Sequence, residues 1–158
     1  MTAVDTTCWK FCAFDALSLH ELHDLLQLRA EVFVVEQQCA FQDLDGTDGQ
    51  AVHLLGVQGH QLVAYARCFA PGIKFTQASL GRVVTRQSAR GVGLGHALVE
   101  KAMDSMGALW GPQTIRIGAQ AHLKNFYSGH GFVDVGRPYR EDGIDHLEML
   151  WRPWHLPT

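Results

Sequence analysis

Residues Arg90-Gly91-Val92-Gly93-Leu94-Gly95 carry the clearest chemistry in the chain. They stand between a strand-like apolar run, Leu80 to Thr85, and a run from His96 to Met106 whose apolar spacing predicts a helix. The first turn of a helix leaves backbone amides without intrahelical acceptors, and those amides, with the positive end of the helix dipole, attract an anion. Glycine removes the Cβ that would block a phosphate. Two common phosphate loops fail here. A Walker A loop needs Lys and Ser/Thr after its last glycine, and Gly95 is followed by His96 and Ala97. A dinucleotide fingerprint needs a third glycine at Leu98 or His96, depending on the register. The expected ligand is a phosphorylated compound of another kind; the plainer alternative is that the glycines only let a helix pack closely on a sheet.

Charge is unevenly spread. Residues 30–66 hold Glu31, Glu36, Asp43, Asp45 and Asp48 but no Lys or Arg, whereas residues 49–99 hold Arg67, Lys74, Arg82, Arg86 and Arg90 but no Asp or Glu. A basic region around the glycine loop suits a polyanionic cofactor, and an acidic region suits a cationic substrate such as an amine; a solvated surface with chance clustering is the alternative. The net charge of −3 gives no indication of a nucleic-acid partner.

These residues need elements to position them. Trp9 to Phe14 reads as a first strand. Ser18 and Glu21 form a capping-box pattern, followed by Leu22, Leu25, Leu26, Arg29 and Phe33 at helical spacing, so a helix is expected to run to about Val35. Residues 36–50 read as a loop. Val52 to Val57 and Leu62 to Phe69 flank Gly59 as a β-hairpin, and Ala78 to Arg86 is the next strand, with a bulge expected at Gly81. After the glycine loop, Leu94, Leu98, Val99, Ala102, Met103 and Met106 share one helical face. A strand over Thr114 to Ala119, a short helix over His122 to His130, and strands Phe132 to Val135 and Leu147 to Trp151 complete the chain, with a turn at Asp142-Gly143. The order β-α-β-β-β-α-β-α-β-β implies an α/β fold on a mostly antiparallel sheet with a parallel section.

At 158 residues, with 47% hydrophobic and 18% charged content, one soluble globular domain spanning 1–158 is expected. Asp5 and Lys10 around Trp9 leave no room for the apolar core of a signal peptide, and no run reaches membrane-spanning length. Cys8, Cys12, Cys39 and Cys68 form no Cys-x-x-Cys pair and match no zinc spacing, so reduced thiols, a cytoplasmic location and no metal are expected.

The loop, read as Arg90-x-x-Gly93-x-Gly95, resembles the acyl-CoA pyrophosphate loop of the GNAT family of N-acetyltransferases. Phe126-Tyr127-Ser128-Gly129-His130-Gly131-Phe132 resembles the family's helix-to-strand signature and stands where that fold requires it. The stretches Leu25 to Arg29, Val32 to Gln37, Gln42 to Gly46, Ala119 to Leu123 and Glu141 to His146 are similar to the ElaA-like branch.

The resemblance implies a mixed sheet of about seven strands with a splayed parallel pair. It also implies transfer of an acetyl group from acetyl-CoA to a primary amine by direct attack in a ternary complex. Carried onto this chain, Val83, Val84 and Thr85 pair with the pantetheine arm. The amides of Arg90, Gly91, Val92, Gly93, Leu94, Gly95 and His96 hold the pyrophosphate, while Arg90, Arg86 or Lys124 reaches the 3′-phosphate. Many members carry Asn seven residues before the tyrosine as a cofactor contact; here that position is Gln120, and Asn125 is a second candidate. Tyr127 is expected to protonate the departing thiolate, with a core aromatic as its alternative.

An alkyl ammonium, with a pKa of about 10.4, must lose a proton before it attacks. His53, His146, Asp43, Asp45 and Glu36 are the candidate bases, although His53 lies in an apolar strand where a structural histidine is equally in keeping. Arg29 either binds a substrate carboxylate or braces the acidic loop, and Tyr139, Glu141 and Asp142 are expected at the pocket entrance. A small-molecule or peptide amine is the expected partner, with a homodimer as the family's usual assembly. A non-catalytic acyl-CoA sensor and an acyl-homoserine-lactone-synthase-like acyltransferase are the competing readings.

Overall fold

A computed structural model describes Val4 and residues Thr6 to Pro153. Asp5, read above as evidence against a leader peptide, lies outside these residues. Seven strands form one sheet: β1 (Cys8–Ala13), β2 (Val52–Gln58), β3 (Gln61–Phe69), β4 (Ala78–Thr85), β5 (Ile115–Gln120), β6 (Val133–Glu141) and β7 (Ile144–Trp151). The spatial order is β1-β2-β3-β4-β5-β7-β6, and β4 with β5 is the parallel pair. The helices are α1 (Leu19–Arg29), α2 (Leu94–Trp110) and α3 (Lys124–Ser128).

Alternation along the strands places a separate core on each face of the sheet. Leu54, Ala66, Cys68, Ala78 and Leu80 pack with Leu94, Leu98, Val99, Ala102 and Met106 of α2. Leu55, Leu62, Tyr65 and Val84 pack with Leu25, Leu28 and Val32 from the α1 side. The α1 start is fixed as the sequence implied: Ser18 accepts from the Glu21 amide at 3.0 Å, Glu21 accepts from the Ser18 amide at 2.8 Å, and Lys10 clamps the Glu21 carboxylate at 2.9 Å.

Three boundaries differ from expectation. The first helix changes to a π-helical segment over Ala30–Glu36, and its C-cap amide at Gln37 reaches back to Val32. The last two strands run longer than Phe132–Val135 and Leu147–Trp151, because the tight Asp142-Gly143 turn, with both residues at positive φ, lets the hairpin pair up to its tip. The bulge expected at Gly81 is present. Tyr65 faces Val84 while Arg67 faces Gly81, and the residue that takes the left-handed conformation is Arg82, at φ 49°.

Candidate active site

The parallel pair is brief. Ala78 meets Ile115 and Ser79 meets Arg116, after which the strands part. The bulge at Gly81-Arg82 turns β4 away from β5, opening a cleft of about 670 Å³ between Leu80–Thr85 on one wall and Ile117–Gln120 on the other. Beyond Ser79, the β5-facing edge of β4 has no strand partner among the described residues. Its amides and carbonyls therefore remain available to an extended ligand with peptide-like groups.

The glycine loop begins where β4 ends. Gly91 and Gly93 sit at φ 91° and 84°, which only glycine adopts freely, and an added Cβ at either would meet nothing within 4 Å. Gly93 caps α2, whose first backbone bond is from the Ala97 amide to the Gly93 carbonyl at 3.1 Å. The amides of Leu94, Gly95 and His96 precede that bond and lack backbone acceptors, and no acidic side chain stands in the first turn. An open cradle of unpaired donors at a dipole's positive end fits a diphosphate.

Tyr127, from α3, lines the same cleft. Its ring is held edge-on by Phe126 at 5.0 Å and Phe132 at 5.8 Å, and only 7% of the residue is exposed. Burial pushes its phenol above the ordinary value, so the hydroxyl stays protonated at neutral pH. His146 in β7, paired with Gln120 of β5, also lines the cleft, stacked on Tyr139 at 5.2 Å. Its Nδ1 lies 2.8 Å from the Ile144 carbonyl. A carbonyl only accepts, so Nδ1 donates to it, and Nε2 is the ring atom left for exchange with a ligand. Tyr139 lies over Gly118, where any Cβ would collide with its hydroxyl.

Several expected site residues lie elsewhere. His53 is fully buried: its Nδ1 is 2.6 Å from the Tyr65 hydroxyl and its Nε2 is 2.9 Å from the Asp48 carbonyl. The Nε2 must donate to that carbonyl, so Nδ1 accepts from Tyr65 and no lone pair remains. Burial also lowers its pKa. It is a core histidine, not a base facing the cleft.

Arg29 is also fully buried and does not face a substrate. It donates to the Asp43 carboxylate at 2.8 Å and to Asp48 at 2.7 Å, bracing the loop from within. Asp43 is 4% exposed and receives Arg82 at 2.7 Å on its second oxygen. Asp45 does reach the cleft, but Arg67 grips both its oxygens at 2.8 and 2.9 Å. Burial alone would raise the Asp45 pKa; hydrogen bonds from Arg67 and Thr47 outweigh it and hold the carboxyl far below the usual range, leaving a weak base. The charge segregation read along the sequence is therefore internal pairing: the acidic loop is neutralised by Arg29 of α1, Arg67 of β3 and Arg82 of β4.

Arg90 and Glu36 hold one another at 2.7 Å, and Arg90 also donates to the Thr85 carbonyl at 2.7 Å, so this pair ties the π-helical segment to the glycine loop. Arg86 is engaged by Glu31 and the Leu62 carbonyl. Gln120 lines the cleft and bonds Gln37 at 3.3 Å, whereas exposed Asn125 does not line it. Val83, Val84 and Thr85 line the β4 wall. The cleft-lining cations Arg67, Lys74 and Arg82 were missed as site residues. One signal for them was available: an Arg within the apolar run Leu62 to Phe69 needs a buried carboxylate partner.

Residues 21–153 match the acetyltransferase (GNAT) domain family. The chain belongs to the GNAT acetyltransferase family. Relatives within the GNAT family include the protein ElaA of Escherichia coli, 41% identical over 143 residues that span 89% of this chain and 94% of ElaA. A UPF0039 protein of Synechocystis is 41% identical over 145 residues, covering 91% of this chain and 94% of its own length. Among solved structures, an acyl-CoA N-acyltransferase from Pseudomonas aeruginosa superimposes with a TM-score of 0.85 at 42% identity, covering 91% of this chain and 99% of that one. The crystal structure of E. coli ElaA also gives 0.85, at 39% identity, covering 92% and 99%. The splayed strand pair and the amide-bearing loop thus belong to an acyl-CoA N-acyltransferase fold, whose family uses acyl-CoA donors.

Proposed function

We propose that the protein transfers an acetyl group from acetyl-CoA to a primary amine held in the same cleft. The observation that carries this reading is continuity: the unpaired β4 edge, Arg90 at the start of the glycine loop and Tyr127 line one cleft, and the amide cradle follows Arg90 directly in the chain. The loop amides from Gly91 to His96 hold the diphosphate, and the edge at Val83 to Thr85 pairs with the amide-bearing arm. The donor supplies an activated thioester carbonyl. His146 Nε2 accepts the proton that the acceptor ammonium sheds, so that the neutral nitrogen forms the new C–N bond as the C–S bond breaks. Tyr127 donates its phenolic proton to the departing sulfur. The acylated nitrogen gives up its second proton, through a cleft water, to the Tyr127 phenolate, and His146 releases its proton to solvent, so both groups are restored between turnovers.

This assignment takes the base role from His53, whose two nitrogens are both engaged in the core, and gives it to His146, which lines the cleft with only its Nδ1 bonded to the backbone. Free-thiol release from acetyl-CoA, measured across a panel of primary amines, tests the reading. Amine-dependent release with a matching N-acetylated product supports it. Tight coenzyme A binding with no release on any amine would instead favour an acyl-CoA sensor.

A further inference from the structure

A second hollow, of about 490 Å³, adjoins the cleft at the β3–β4 loop. The two depressions share Lys74 and Phe75, so a ligand reaching out of the cleft past this β3–β4 loop enters the hollow. Its walls carry three cations, Lys74, Arg116 and Arg137, against one carboxylate, Glu148. Glu148 is already engaged by Arg116 Nη1 at 2.7 Å, and Gln77 accepts from Arg116 Nε at 3.1 Å. The Nη2 of Arg116 is left without a partner among the described residues. Exposed Arg137 has no ion pair or hydrogen bond among the described residues. Lys74 touches Asp45 only at 3.4 Å.

Two of the three cations, Lys74 and Arg116, are held in place before any ligand arrives. Phe75 lies beneath Arg116 at 5.8 Å and Phe69 beneath Lys74 at 5.2 Å. The Gly72 amide closes the loop onto the Phe75 carbonyl at 2.8 Å, fixing the turn that presents Lys74. Surplus positive charge with unused donors, beside a reactive cleft, matches a planar anion better than a second amine.

We propose that this hollow seats a carboxylate carried by the acceptor, so that favoured acceptors are amines with an acidic group beyond the reacting nitrogen. This rests on the acetyl-transfer reading, and the test separates the two. Glycylglutamate and glycylglutamine, both with amidated C-termini, differ only in the side-chain anion. With the wild-type protein and acetyl-CoA, KM for the acidic peptide should be lower by roughly fivefold, the scale of one exposed ion pair. Arg137→Ala should erase most of that preference and Arg137→Glu should reverse it, with kcat and the KM for glycylglutamine kept. Equal KM values in the wild type, or a preference that survives Arg137→Glu, would overturn the proposal. If neither peptide is acetylated, calorimetric titration with glutarate decides. Binding that is lost in Arg137→Glu upholds the hollow and counts against acetyl transfer to these amines; no binding to the wild type overturns the hollow. Inorganic phosphate binding more tightly than glutarate would overturn the carboxylate assignment.

Discussion

Replacing Gly93 or Gly95 by alanine separates what the glycine loop does for folding from what it does for the donor. Gly93 sits at φ 84° with open space where a Cβ would be, so alanine there meets no protein atom and its cost is conformational. Holding an L-residue in the left-handed region costs about 1–2 kcal/mol. For a chain of this size that lowers Tm by roughly 2–8 °C. Gly95 lies in the first turn of α2, where an alanine Cβ would rest 3.6 Å from Phe126, an ordinary contact. Alanine is favoured over glycine in a helix by about 0.5–1 kcal/mol, so Gly95→Ala should raise Tm slightly. The methyl at Gly93 would stand in the open space where the diphosphate is expected, and the methyl at Gly95 would fill the narrow gap between the loop and Phe126 beside it. Losing one charge-assisted amide bond costs about 1.5–3 kcal/mol, or roughly 10- to 100-fold in Kd. Calorimetric titration with coenzyme A, run beside thermal melts, reads both quantities. The expected pattern is weaker coenzyme A binding in both variants with Tm changes of opposite sign. Unchanged Kd in both variants would refute the cradle, because stability would then be all the glycines provide.

Tyr127→Phe should keep coenzyme A affinity while lowering kcat by roughly 10²-fold, as expected for loss of a general acid; full turnover on a verified amine would remove Tyr127 from the chemistry. His146→Gln should lower kcat with little change in Tm, whereas His53→Gln should lower Tm, because it disturbs two buried hydrogen bonds worth about 1–3 kcal/mol if left unmade. His53 is held neutral in the fold, so the unfolded chain binds its proton more readily. Stability from His53 is present above the unfolded value of 6.5 and drains away as pH falls below it, and melts from pH 8 to pH 5 should show this limb shrink in His53→Gln. Arg29→Met leaves buried Asp43 with Arg82 alone and Asp48 with Arg67 alone, beside an apolar side chain. Breaking a buried pair costs about 3–5 kcal/mol, which predicts a Tm drop of roughly 10 °C by calorimetry.

The helices and strands were legible because their apolar spacing is regular, and the glycine loop because its backbone demands are local. The capping box at Ser18 and Glu21 and the bulge near Gly81 came from the same kind of short-range signal. The roles of Arg29, His53, Asp43 and Asp45 were not legible in the same way. Their meaning depends on partners 5 to 39 residues away, brought together only when the loop docks on the sheet. His53 falls inside an apolar strand in the sequence, whereas His146 stands just before the strand read at Leu147, and neither pattern shows which of them faces a ligand. They differ in what their two nitrogens face, and only the fold assigns that. The π-helical turn also escaped detection, since Ala30 to Glu36 keeps apolar residues where an ordinary helix would place them.

Arg82 links two parts of the molecule that would otherwise vary independently. Its backbone makes the kink that separates the parallel strands, while its side chain grips Asp43 in the loop across the cleft. The width of the gap and the seating of the acceptor loop are thereby mechanically coupled through a single amino acid. A relative that exchanged this loop for another selectivity would have to retain an anion opposite that arginine, or the channel itself would change shape.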